Sequence, residues 1–240
     1  MSTLKRSRTY SLIPTQSSSD AVMVSAGSAK KRSRKTKYRI TAIPGQIIAQ
    51  SVMANLTYSE STYFTSATGV PNVFVWNLNS VYDPNRTGTG HQPKGFDQYA
   101  ALYSKYRVTK VKYTVYLSNQ TSYDSAVCVA PTNFLLSSSM PPDVMNEFPG
   151  AQFEYCPRVT VGLPKELKGS VDLAKLTGRD SKSYLADDIY ASDVATSPSE
   201  LMMLNIAIQD VTGAQSVTVY YNIKLQYQVL FFDPKDPGQS

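Results

Sequence analysis

The chain has 240 residues, of which 42% are hydrophobic and 18% charged, and its net charge is +6. Two cysteines and a single histidine exclude a disulfide framework and a Cys/His metal cluster. No apolar run approaches the ~18 residues of a membrane-spanning helix, and no apolar segment near Met1 predicts a secretory signal.

The charge is unevenly placed. Of the 24 Lys and Arg, ten fall in residues 1–40, against one of the 18 acids (Asp20), a net +9. The other 200 residues carry the remaining 14 bases and 17 acids, a net −3. The ten are Lys5, Arg6, Arg8, Lys30, Lys31, Arg32, Arg34, Lys35, Lys37 and Arg39. Between the two basic clusters lies "TQSSSDAVMVSAGSA", which is Ser-rich and without period. Such a composition buries too little apolar surface to offset its ordering entropy, so residues 1–39 are predicted to be a disordered basic arm. A flexible arm of this charge neutralises phosphates without reading sequence, and its salt-sensitive affinity comes from counterion release. "KKRSRK" also suits a nuclear-import signal. No zinc finger, RNP aromatic pattern or basic-zipper heptad accompanies it, so sequence-specific recognition is not expected. A merely solubilising tail is the plain alternative, and it would gain nothing from excluding acids.

From Ile40 onward, apolar runs are punctuated by turn residues. "ITAIPGQIIAQSV" and "NVFVWNLN" are the first two strand candidates. "TGTGHQPKG" follows as a glycine-rich loop holding His91, the one histidine. A hydrolase would need a positioned nucleophile and acid beside it, and there is no G-x-S-x-G, Walker A or G-x-G-x-x-G motif. In "FDQYAALYSKY", Asp97 is the expected N-cap of a short helix, with Tyr99, Leu102 and Tyr103 on one face. Tyr99, Tyr103 and Tyr106 flank Lys105 and Arg107; they suit core or subunit packing better than base stacking.

"TKVKYTVYL" alternates Val111, Tyr113, Val115 and Leu117 with Lys110, Lys112 and Thr114, which predicts a strand with one buried face. "SAVCVAPT" is a further strand, and "PPDVMNEF" a helical turn opened by proline. "FEYCPRVTV" places Phe153, Tyr155, Val159 and Val161 on one face, with Pro157 marking an edge or bulge. "LKGSVDLAKLT" is a weaker strand. "GRDSKSYLADDIYASDVATSPSE" is an acidic surface excursion, and its Asp180, Asp187, Asp188 and Asp193 have no EF-hand spacing. "MLNIAIQ" alternates Leu204, Ile206 and Ile208 with Asn205 and Gln209. The clearest strand is "SVTVYYNIKLQYQVLFF", where Val217, Val219, Tyr221, Ile223, Leu225, Tyr227, Val229 and Phe231 alternate with polar residues. Cys128 and Cys156 are expected to be reduced and buried. The three N-x-[ST] matches at Asn55, Asn85 and Asn119 mean little without secretion. About eight strands, two short helices and long loops predict an all-β antiparallel sandwich or jelly roll.

The segment "GTGHQPKGFDQYAALYSKYRVTKVKYTVYL" resembles the capsid proteins of small circular Rep-encoding single-stranded DNA viruses, the CRESS-DNA group. Gly90, His91, Gln92, Pro93, Gly95, Phe96, Asp97, Gln98, Tyr103, Tyr106 and Val108 carry the likeness. The layout is similar too, from basic arm to the C-terminal "YYNIKLQYQVLFF". The resemblance implies a single eight-stranded antiparallel jelly roll in two four-stranded sheets over residues 40–235, with a short tail at 236–240. It implies a structural protein, not an enzyme, that self-assembles into a small icosahedral shell, sixty copies in the simplest case. The ten arm bases would bind the single-stranded genome, DNA favoured over RNA. Sixty such arms bring about 540 positive charges, part of what a few-kilobase genome requires. A nuclear import receptor and a host attachment receptor are further implied partners, and the virion and host nucleus the implied locations. No catalytic residue, cofactor or metal is expected. The alternatives are the capsid of a small or satellite RNA virus and a cellular jelly-roll binding module with a basic targeting tail.

Overall fold

The computed structural model describes residues 48–160 and 163–236. All ten arm bases, and residues 40–47 of the first strand candidate, lie outside the described residues.

The described chain forms β1 (Ser51–Ser66), β2 (Asn72–Asn77), α1 (Phe96–Leu102), β3 (Tyr103–Asn119), β4 (Ser125–Thr132) and α2 (Pro142–Met145). There follow β5 (Gln152–Cys156), β6 (Lys165–Asp172), α3 (Leu173–Leu176), α4 (Ser181–Ala186), a 3-10 turn at Asp188–Tyr190, β7 (Ala191–Asp193), β8 (Met203–Asp210) and β9 (Val217–Pro234). One sheet runs β1-β9-β3-β6, with the short β7 added beside β3, and the other runs β2-β8-β4-β5. The antiparallel pairs nest: β1 with β9, β2 with β8, β3 with β6, β4 with β5. Folding that long ladder over on itself adds the pairs β3 with β9 and β4 with β8. This is the jelly roll, with nine strands among the described residues rather than eight: β7 makes the first sheet five-stranded, and it packs on the four-stranded second sheet over the main core.

The alternation in β9 does what its sequence predicts. Every odd position from Val217 to Phe231 is buried, and every even position between them is partly or fully exposed. Val111, Tyr113, Val115 and Leu117 of β3 face the same core. The Tyr227 hydroxyl donates to the Asn77 carbonyl at 2.8 Å, tying β9 of one sheet to β2 of the other. Tyr103 and Tyr106 are core residues, and Tyr99 stacks on Phe231 at 4.9 Å.

Several expectations are corrected. Of the 40–52 candidate only the end is described: the first strand among the described residues runs Ser51–Ser66, paired along its whole length with β9. β8 does not alternate: Met203–Ile208 are all buried, because α2 and its flanks cover the outer face of that sheet. Leu136 and Met145 form this second cluster with Cys128, Ala130 and Ala207. Phe153 and Tyr155 belong to that outer face, opposite Cys128 and Ala126, while Cys156 points to the main core. β5 is indeed an edge strand, and it stops just before Pro157. β6 ends at Asp172, whose side chain accepts from the Lys175 N–H and starts α3, so "LAKL" is helical. In α1 the N-cap is Gly95 (φ 91°), not Asp97, and Tyr103 leaves the helix to open β3. The acidic stretch after Gly178 holds a helix and a strand, and Tyr184 and Tyr190 in it are buried.

Cys128 and Cys156 are free and buried. Burial pushes the Cys128 thiol up to about 12 and raises Cys156 as well. Burial likewise pushes Tyr106 up to about 12 and Tyr227 well above the usual phenol range. In the fold these groups keep protons that the unfolded chain gives up near pH 9–10, so their contribution is full below that range and lost as pH rises toward about 12. The urea midpoint is therefore expected to hold to about pH 9 and then fall steadily. A midpoint flat to pH 11 would contradict this, as would prompt reaction of either thiol with a thiol reagent in the folded protein at pH 8.

Candidate functional site

Among the described residues, the chemistry-bearing side chains gather in three places. The first is around His91. Its ring lies 4.8 Å from that of Tyr58. The Tyr58 hydroxyl donates to Glu60 at 2.5 Å, and Asn85 Nδ2 donates to the same carboxylate at 2.9 and 3.0 Å. Trp76 Nε1 approaches it at 3.4 Å. Burial, reinforced by the Glu60 carboxylate, holds the Tyr58 hydroxyl well above its ordinary value, so it stays a donor. Gly90 packs so close that a Cβ there would sit 2.8 Å from both Asn85 Cβ and the Tyr58 hydroxyl. The glycine-rich loop is thus pinned to β1 through Glu60, a residue that no sequence motif singles out. Asn85 and Asn119 are buried and hydrogen-bonded inward, which is no place for a glycan.

The second place is Arg107, 3% exposed although it points away from the main core. Its guanidinium donates to the carbonyl of Leu185 and to that of Asp187 at 3.0 Å, and meets the exposed Asp188 carboxylate at 3.4 Å. It also lies 5.7 Å from the Phe232 ring. Burial draws its pKa downward. Because Asp188 is solvated, the ion pair itself contributes little; what Arg107 does is clip the segment before β7 onto β3. Of the four aspartates in that stretch, Asp180 caps α4, Asp187 pairs with Arg179, Asp188 meets Arg107 and Asp193 lies opposite Lys105 in the ladder. They do not converge, and among the described residues no group of three or more His, Cys, Asp or Glu is placed to hold a metal ion.

The third place is the solvent face of the β1-β9-β3-β6 sheet. Asn55, Thr57, Lys110, Lys112, Gln226 and Gln228 line a shallow, open depression of about 490 Å³ there. These side chains are the polar half of the alternation in β3 and β9, joined by two residues of β1. The sequence displays them strand by strand, and the cross-strand register brings them to one surface. In chain order residues 1–39 come before β1, the edge strand of this sheet. Among the described residues no helix is long and apolar enough to cross a membrane.

No family model matches the chain, and no curated protein matches it. Solved structures of viruses do resemble it. Cocksfoot mottle virus matches at 8% identity with a TM-score of 0.46, covering 77% of this chain and 96% of that one. Mud crab tombus-like virus matches at 12% and 0.46, covering 91% and 96%. The 60-mer BFDV capsid protein matches at 13% and 0.42, covering 80% and 100%. At these values no residue corresponds to a residue, and the fold assignment rests on the strand order described above.

Proposed function

We propose that this chain is the shell-forming subunit of a small virus and packages single-stranded DNA through its basic arm. The observation that carries the reading is the joining of a +9 arm to the edge strand of a closed jelly roll. The resemblance of residues 88–117 to CRESS-DNA capsid proteins supports the DNA assignment. The nucleic-acid-binding residues are Lys5, Arg6, Arg8, Lys30, Lys31, Arg32, Arg34, Lys35, Lys37 and Arg39. Holding a single-stranded polyanion depends on reach and number of charges more than on shape, and a basic arm supplies both. A body of net −3 spares neighbouring subunits the repulsion that a uniformly basic surface would bring. The partners are further copies of the chain, single-stranded nucleic acid and, through "KKRSRK", a nuclear import receptor; the protein acts in the virion after assembly in the host nucleus.

Expression of the full chain followed by electron microscopy tests the assembly. Uniform shells roughly 200 Å across are expected for sixty subunits of ordinary jelly-roll size. Nucleic acid extracted after nuclease treatment of intact particles should be degraded by DNase and resist RNase. A monodisperse monomer would overturn the shell reading, and RNase-sensitive contents the DNA reading.

A further inference from the structure

The outward face of the β1-β9-β3-β6 sheet carries a second pattern. On its three strands β1, β9 and β3, the outward positions between Asn55 and Thr65, Thr218 and Gln228, and Lys110 and Ser118 include Lys110, Lys112 and Lys224 and no acid. That exclusion stands out on a body whose 17 acids outnumber its 14 bases. Acids border this stretch on the β6 edge, where Glu166 lies opposite Tyr116 and pairs with Lys168, and Asp172 lies opposite Lys110 and caps α3. None of the three lysines is in an ion pair among the described residues.

Beyond the lysines, the same face turns aromatic. Tyr63 and Tyr220 oppose each other across β1 and β9, with ring centroids 5.1 Å apart, and Tyr116 lies one register step away on β3. All three are exposed, Tyr63 at 60%. Lysines and tyrosines together run about 27 Å along the strands, at ~3.4 Å per residue. Between them lie amides and hydroxyls, including Gln226, Gln228 and Asn222.

We infer that this face is a second single-stranded nucleic-acid contact, in which Lys110, Lys112 and Lys224 take phosphates and Tyr63, Tyr116 and Tyr220 stack on bases. Unpaired lysines beside exposed rings, with the acids confined to the β6 edge, fit a strand whose bases are unpaired and whose backbone is charged. A duplex offers phosphates but hides its base faces, so the tyrosines give a preference for single strands that the arm does not. The position fits as well: Arg39 lies twelve residues before Ser51, within about 40 Å of β1 even at full extension. The inference extends the packaging reading from the arm to the body and rests on it.

The test uses the full chain and two probes, a labelled twenty-nucleotide oligothymidylate and a twenty-base-pair duplex, with affinities measured against salt. Three variants are compared: the ten arm bases changed to Gln; K110Q/K112Q/K224Q; and Y63A/Y220A, whose exposed positions spare the core. In the arm-neutral background the lysine triple is expected to weaken residual single-strand binding tenfold or more. The tyrosine double should cost a similar factor on the single strand and little on the duplex. Ultraviolet cross-linking of a bromouracil-substituted strand to the unaltered chain should label peptides containing Tyr63 or Tyr220. Face variants that bind as well as their parent in both backgrounds overturn this inference and leave the arm reading standing. Equal losses on both probes overturn the stacking assignment. Losses in the face variants, with an arm-neutral protein that binds like the unaltered chain, support the face and overturn the arm.

Discussion

Changing all ten basic residues of the arm to glutamine is expected to leave the shell able to form and to empty it of genome. Counting contacts gives the size of the effect. Each neutralised phosphate on a single strand contributes about 0.7 to the slope of log affinity against log salt, so ten lost contacts lower that slope by up to about 7. Between 50 and 200 mM salt, such a slope corresponds to about four decades in affinity. The change leaves the apolar surface of residues 48–236 untouched, so the subunit fold should survive it. Particle mass and the ratio of absorbance at 260 and 280 nm report the outcome directly. Variant particles with undiminished genome content would sink the assignment of these residues.

The largest loss of stability is expected from Phe64→Ala. Phe64 is 1% exposed, and its ring stacks on Phe74 at 3.6 Å and on Tyr221 at 3.8 Å. Those partners lie on β2 and β9, so one side chain couples both sheets where the edge strands β1 and β2 meet. Truncating a buried Phe costs about 3–5 kcal/mol, and the lost stacking adds up to about 1 kcal/mol. Against a total of ~5–15 kcal/mol for a domain, this is a large share. Phe64→Leu keeps most of the volume and should cost about a third as much. Urea unfolding measures both; a loss below about 1 kcal/mol for the alanine variant would mean that the edge repacks without its aromatic stack.

The reason this position escapes a sequence reading lies in β1 itself. Its inward residues are Ala54, Leu56, Tyr58, Glu60, Thr62 and Phe64, and the apolar set is broken in the middle by Glu60 and Thr62. In the fold Glu60 is met by Trp76 and Asn85, which come from β2 and the loop after it, while Thr62 stays exposed. β9 suffers no such interruption, because it is central in its sheet and has core beneath its whole inner face. β8 errs the other way: Asn205 reads as a solvent position, yet it is fully buried, its amide donating to the Thr132 hydroxyl at 2.8 Å. Nothing in "MLNIAIQ" announces that α2 will cover its outer face.

Charge segregation, the all-β class and the buried faces of β3 and β9 are legible in the chain alone, because each depends on composition or on a period of two within one strand. Lys110, Lys112 and Lys224 are legible as outward positions for the same reason. That they share a surface with Tyr63, Tyr116 and Tyr220 is a property of the packed fold. It depends on the register between β3 and β9, about a hundred residues apart in the chain, and a slip of one residue would turn every one of these side chains to the other face. Register is set by how two apolar faces fit over a common core, and no single strand contains that information.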